Sequence, residues 1–207
     1  TGFDEKELLK RLENFDFDIL INCFCNFRFT ELLNRYQVFN VHLSKLPKYR
    51  GRHPMHWALI LGEKTHGVSI HEMTPDFDEG EIYWQDEVAL NEDMSVAQLR
   101  TLLMEKLQQG FPEFIANLES TQTVLNISNN SKVGNYIPRR YPTDNLLKEW
   151  EDSDLIYRKI KALRSENPTA YIRFRNLEEL PIIDVKRIKN HGTIPYPGNF
   201  PQIIEIQ

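Results

Sequence analysis

The strongest constraint on this chain is a rhythm in which short, nearly continuous apolar runs alternate with segments of helical period. Phe17 to Cys23, Val38 to His42, Val68 to Met73 and Ile82 to Val88 are the apolar runs. Runs of this length suit strands buried on both faces of a sheet. Before and between them, Leu8, Leu9 and Leu12 share one helical stripe. Phe29 to Tyr36 reads as a short helix, and Pro54 opens another that Gly62 stops. Ser95-Val96-Ala97-Gln98 is a capping box, and Val96, Leu99, Leu103 and Leu107 mark the buried stripe of the helix it begins. Gly110 and Pro112 are expected to interrupt that helix before a further turn through Leu118. The pattern predicts an α/β fold with a Rossmann-like, mainly parallel sheet. Only a helix precedes Ile19, so N-terminal strands of such a sheet are expected to be missing from this chain.

From about Ile127 the character changes. Ser128 to Ser131 is a polar turn cluster, and Tyr136 to Pro142 is basic and carries two prolines. Asp152 to Leu163 presents one apolar helical side, while Ala170 to Phe174 and Ile182 to Ile188 alternate by twos like an antiparallel pair. A closing edge strand is expected at Ile203 to Ile206. The expected organisation is a catalytic core over 1–126, a linker over 127–150 and a small α+β subdomain over 151–207.

Charge and cysteine usage narrow the function classes. A net charge of −5 leaves no broad basic face for nucleic acid. No apolar run is long enough to span a bilayer, and the polar opening segment is unlike a secretory signal. Cys23 and Cys25, one residue apart, are poorly spaced for a disulfide and too sparse for zinc. His53, His56, His66, His71 and His191 show no metal-ligand spacing. The expectation is a cytoplasmic protein without a metal.

Ligands of open parallel sheets bind beyond the carboxyl ends of the strands. Asn40 and His42 lie two apart at such an end and so point to the same side. Asp78 lies in the acidic turn Asp76 to Gly80, after a later strand. An amide, an imidazole and a carboxylate can then converge on one small volume. The amide suits a carbonyl oxygen gaining charge, and the imidazole and carboxylate suit proton transfer. Taken singly, each residue has a plain structural reading as a turn cap, a scaffold histidine or a turn carboxylate.

The surrounding letters reverse that balance. Asn40-x-His42, then Leu46-Pro47-Lys48-Tyr49-Arg50-Gly51, Gly67-Val68-Ser69-Ile70-His71 and Asp78-Glu79-Gly80 follow in order. This succession resembles the folate-dependent formyltransferases over about Asp18 to Asp86. The resemblance implies 10-formyltetrahydrofolate as co-substrate and Asn40, His42 and Asp78 as catalytic residues. It also implies a pteridine site near Cys23 to Phe29 and the loop leading to Asp78, with Cys25, Phe27, Arg28, Phe29 and Asp76 as candidate contacts.

Three branches of the family differ in the amine they formylate. The methionyl-tRNA branch usually carries a larger, basic C-terminal barrel, and roughly seventy residues follow Tyr136 here. The glycinamide ribonucleotide branch generally ends soon after its catalytic domain. Pro138-Arg139-Arg140-Tyr141-Pro142-Thr143-Asp144, then Trp150, resembles the linker of the sugar-nucleotide branch, as does Tyr157 to Leu163 followed by Pro168 to Tyr171. Asn167-Pro168-Thr169-Ala170 departs from that branch's usual turn. The resemblance implies an amino-deoxysugar nucleotide as acceptor, with Lys48, Arg50, Arg52, Trp57 and Tyr171 as candidate contacts. Small-molecule partners only, without nucleic acid or membrane, are expected from the charge and hydropathy, a homodimer because a small exposed sheet leaves edges to pair, and the sugar branch implies a place in lipopolysaccharide or O-antigen synthesis. A formyltetrahydrofolate hydrolase and a non-catalytic folate-binding module are the other classes open to this sequence.

Overall fold

A computed structural model describes residues 4–119, 134–148, 151–174 and 177–186. The expected turn at 128–131, the linker residue Trp150 and the closing strand at 203–206 lie outside these residues. The elements in order are α1 (Glu5–Leu12), β1 (Leu20–Cys23), α2 (Glu31–Arg35), β2 (Val38–His42), β3 (Arg50–Gly51) and α3 (Pro54–Leu61). They continue with β4 (Thr65–Glu72), β5 (Ile82–Ala89), α4 (Val96–Glu119), β6 (Tyr136–Ile137), α5 (Ser153–Leu163), β7 (Ala170–Arg173) and β8 (Glu179–Ile182). Among these residues no helix is long and apolar enough to cross a membrane. The chain forms two compact units, Thr1–Arg52, Gly67–Val88 and Leu103–Ile137 in the first, His53–His66, Ala89–Leu102 and Pro138–Gln207 in the second.

The Rossmann-like α/β sheet has the strand order β1-β2-β4-β5. β1 and β2 run parallel with Asn22 opposite Asn40. β4 returns antiparallel to β2, setting His71 opposite Asn40 and Ser69 opposite His42. Val38, Phe39, Val41, Val68 and Ile70 are buried, as the apolar runs require. The Phe39 ring stands edge-on to Tyr83 at 4.9 Å and to Phe114 at 5.3 Å. On α1, Leu9 joins Phe29, Leu32 and Val38 in a core cluster. α1 also caps α2, because Glu5 accepts the Thr30 and Leu32 backbone N–H groups, each at 2.8 Å.

α4 does not break. It runs from Val96 to Glu119 through both Gly110 and Pro112. Gly110 lies against the Trp84 ring, where a Cβ would come within 1.9 Å of the ring edge. Beyond the proline, Phe114 is fully buried, and Glu113 accepts the Trp84 indole N–H at 3.1 Å. A proline costs a helix interior about 3 kcal/mol. Burying a phenylalanine returns about 2–3 kcal/mol, so tertiary packing offsets the local preference.

In the second unit α3 and α5 pack together, and Arg158 donates from Nε to the Ile60 carbonyl at 3.0 Å near the end of α3. Asp152 accepts the Leu155 N–H at 2.7 Å and caps α5. Asp152→Ala is expected to lower stability by about 1 kcal/mol, seen as a lower urea midpoint at unchanged slope. An unchanged midpoint would show that the cap contributes nothing. β7 and β8 are antiparallel with Ala170 opposite Ile182, so the second strand occupies Glu179–Ile182 and ends where the sequence pattern suggested it began. Just before this strand Leu177, with φ 70°, donates its N–H to the Phe174 carbonyl at 3.0 Å.

Candidate active site

β2 is flanked by β1 and β4, so side chains on one face of its carboxyl end meet neighbours from both. Asn40 and His42 occupy that face, and the antiparallel register brings His71 beside them. Asp78 arrives from the turn between β4 and β5 with φ 57°, a left-handed conformation that Asp and Asn tolerate better than most residues. Its Oδ2 accepts the Gly51 N–H at 2.8 Å, and its Oδ1 lies 3.4 Å from His42 Nδ1 and 3.6 Å from His71 Nε2. Buried Arg50 pairs with Glu79 and holds the same turn. Gly80 belongs to that turn by necessity, since a Cβ there would sit 1.8 Å from the Glu72 carbonyl oxygen.

Carbonyl groups determine which imidazole nitrogens carry protons. His42 Nε2–H donates to the Tyr49 carbonyl at 2.9 Å, so its Nδ1 lone pair faces Asp78. His71 Nδ1–H donates to the Glu72 carbonyl at 2.7 Å, which leaves Nε2 to accept from Asn40 Nδ2 at 3.1 Å. Asn40 Oδ1 in turn accepts from Asn22 Nδ2 at 2.8 Å.

Burial alone would raise the Asp78 pKa. The neighbouring His71 and His42 rings and the Gly51 N–H outweigh it and hold the carboxyl at about 2. Burial pushes the His42 pKa below its ordinary value, against the opposing pull of Asp78 and the Tyr49 carbonyl. A neutral imidazole therefore stands beside a carboxylate. His42 Nδ1, His71 Nε2 and Asp78 Oδ1 converge as lone-pair atoms, an arrangement that attracts a proton released nearby.

The structure brings His42 and Asp78 together and joins Asn40 to them through His71. In the sequence His71 stands in a neighbouring motif and among the histidines without metal-ligand spacing, not among the site candidates. Its alternation with Ser69 was the visible signal, but the antiparallel register that joins it to Asn40 was not readable. The folate candidates divide. Phe29 is buried with Leu9, Leu32 and Val38, and Phe27 packs edge-on to it at 5.4 Å. Both belong to the core under α1 rather than forming an open wall. Arg28 donates to the Pro75 carbonyl at 3.0 Å and lies over the Phe77 ring at 5.6 Å. The Asp76 carbonyl accepts from Thr74 Oγ1 at 2.9 Å, and Cys25 is held through its backbone by Asn22. The exposed rings in these loops are Phe24, 49% exposed with φ 67°, and Phe77, 47% exposed, neither of which the sequence reading selected. Exposed aromatic faces with loop backbone of this kind suit a flat heterocycle.

Among the acceptor candidates, Lys48 and Arg52 are exposed. Arg50 is 5% exposed and committed to Glu79, so it offers no open cation. In the second unit, Trp57 donates its indole N–H to the Pro138 carbonyl at 3.1 Å, with Arg140 over its ring. Tyr171 is 8% exposed with Arg173 over its ring, leaving no open face on which a base would stack. Cys23 and Cys25 are free and exposed. Among the described residues no group of three or more His, Cys, Asp or Glu is placed to hold a metal ion.

The bifunctional polymyxin resistance protein ArnA of Wigglesworthia glossinidia brevipalpis is 36% identical over 137 residues, which cover 64% of this chain and 20% of that protein. Methionyl-tRNA formyltransferase of Clostridium botulinum is 35% identical over 104 residues, 49% of this chain and 34% of that one. The chain thus spans about a fifth and a third of these relatives' lengths. HypX from Aquifex aeolicus in complex with tetrahydrofolic acid shares the fold with a TM-score of 0.67 at 20% identity, over 80% of this chain and 29% of that one. Rv3404c from Mycobacterium tuberculosis, described as a likely sugar N-formyltransferase, gives 0.68 at 21% identity, over 91% and 82%. The formyl transferase family profile matches residues 3–115, more than half of the chain. The chain belongs to the formyl transferase family.

Proposed function

We propose that this protein transfers a formyl group from 10-formyltetrahydrofolate to the amino group of a nucleotide-linked amino-deoxysugar. The observation that carries the reading is the cluster in which Asp78 Oδ1 lies 3.4 Å from His42 Nδ1 and 3.6 Å from His71 Nε2, the nitrogen to which Asn40 Nδ2 is bonded at 3.1 Å. Bound 10-formyltetrahydrofolate supplies an activated formyl carbonyl. One Asn40 Nδ2 hydrogen goes to His71, and the other stabilises the carbonyl oxygen as negative charge builds there. His42 Nδ1 accepts the proton that the amine loses as the new C–N bond forms. The Asp78 charge stabilises the resulting imidazolium. His42 then returns the proton to the departing folate nitrogen as the old C–N bond breaks.

The acceptor assignment draws on different features. A net charge of −5 disfavours a large polyanion, whereas exposed Lys48 and Arg52 suit the few charges of a diphosphate. The Pro138 to Asp144 linker and the likeness to a sugar N-formyltransferase support the same acceptor class. The test is consumption of 10-formyltetrahydrofolate with and without uridine- or thymidine-linked amino sugars. Acceptor-dependent transfer is expected. Release of formate without acceptor would point to hydrolysis, and no consumption in either arm would reject the activity. Asn40→Ala is expected to lower kcat about a hundredfold while changing folate affinity no more than about threefold. Equal losses in rate and affinity would contradict its role at the carbonyl.

A further inference from the structure

We infer that Asn22 is a positioning residue that decides which end of the Asn40 amide faces the reacting carbonyl. The inference rests on the formyl-transfer reading and deepens it. Asn22 is absent from the residues implied by the family resemblance, and the parallel register of β1 and β2 sets it directly opposite Asn40.

The argument starts from shape. Rotating a carboxamide by half a turn exchanges donor for acceptor with almost no change in size. Sterics therefore do not keep the Asn40 NH2 aimed at substrate; only the polarity of its neighbours does. Those neighbours form a run of hydrogen bonds with a single direction. Cys25 N–H donates to Asn22 Oδ1 at 3.2 Å, and Asn22 Nδ2 donates to Asn40 Oδ1 at 2.8 Å. Asn40 Nδ2 donates to His71 Nε2 at 3.1 Å, and His71 Nδ1 donates to the Glu72 carbonyl at 2.7 Å.

The two ends of this run differ in firmness. A histidine ring can change tautomer or take a second proton, so His71 can serve an amide in either orientation. Asn22 has no such freedom. The Cys25 backbone holds it at both atoms, since Asn22 Nδ2 also donates to the Cys25 carbonyl at 3.2 Å. Its NH2 must face Asn40, which obliges Asn40 to answer with its carbonyl and to turn its own NH2 inward. A flipped Asn40 would present a lone pair to an oxygen acquiring negative charge.

Asn22→Asp tests this, because it replaces the donor with an acceptor of the same size. The expected result is a kcat lowered about a hundredfold, close to Asn40→Ala, with the folate KM changed by no more than about threefold. In an Asn40→Ala background the same substitution should add less than about threefold, because it acts only through Asn40. Asn22→Ala, which removes the donor without inserting an acceptor, should fall between wild type and Asn22→Asp.

A readout independent of turnover is 15N NMR of the His71 ring. Nε2 should resonate as an unprotonated acceptor in the wild type and move toward the protonated position in Asn22→Asp, since a flipped Asn40 carbonyl calls for an N–H. Thermal melting confirms that each variant folds. Multiplicative losses in the double variant, or unchanged His71 nitrogens in a folded Asn22→Asp protein, would overturn the inference. Absence of transfer by the wild type would instead reject the functional reading, and the ring-nitrogen shift would still decide the role of Asn22.

Discussion

Asp78→Asn is expected to lower kcat about a thousandfold while the protein stays folded. Asparagine suits the backbone, because it tolerates the φ of 57° at this position nearly as well as aspartate. Its side-chain carbonyl can still accept the Gly51 N–H that Asp78 Oδ2 accepts. What disappears is the charge beside His42, and with it the stabilisation of an imidazolium. The new NH2 would also donate to His42 Nδ1 or His71 Nε2 and occupy a lone pair that the reaction needs. Steady-state kinetics alongside circular dichroism read the two effects separately. Near-normal turnover would remove Asp78 from the mechanism.

The same substitution changes the response to acid. The folded carboxyl, at about 2, lies below its ordinary value of 3.8, so its ionisation favours the folded state. That contribution is fully present above about pH 4 and is lost as the pH falls toward about 2. Asp78→Asn should flatten the stability curve across that window. A variant whose acid limb matches the wild type would show that Asp78 is not held in its charged form.

Gly110→Ala is expected to destabilise the protein by about 3 kcal/mol, opposite in sign to what helix propensity predicts. Alanine in a helix interior is favoured over glycine by about 1 kcal/mol. Here its Cβ would lie 1.9 Å from Trp84 Cζ2 and 2.6 Å from Nε1. Either the indole leaves its place and gives up its bond to Glu113, or α4 moves away from β5 together with buried Phe114. Urea denaturation measures the sign directly. A raised midpoint would show that the helix and Trp84 are not packed as described.

These two sites show what a sequence can disclose. The apolar runs at 38–42 and 68–73 identified strands because burial on both faces leaves a continuous pattern. Asn40 and His42 were found because a period of two sets side chains on one face. Direction and register leave no such mark. The antiparallel return of β4 places His71 against Asn40, and the parallel β1 places Asn22 on its other side. Neither neighbour follows from local letters.

Other differences share one cause, which is that a residue's role depends on what packs over it. Phe29 reads as a ligand wall until α1 is seen to cover it, whereas Phe24 is left exposed. Arg50 reads as a phosphate ligand until its partner Glu79 appears from a turn far along the chain. Gly110 and Pro112 read as helix stops because their locally unfavourable propensities are visible and the burial of Phe114 is not.

The most direct test is a crystal structure with a formyl-folate analogue whose formyl group cannot be transferred. The account predicts its carbonyl oxygen within hydrogen-bonding distance of Asn40 Nδ2, on the side where His42 and Asp78 converge. A formyl group bound elsewhere, beyond reach of all three side chains, would contradict it.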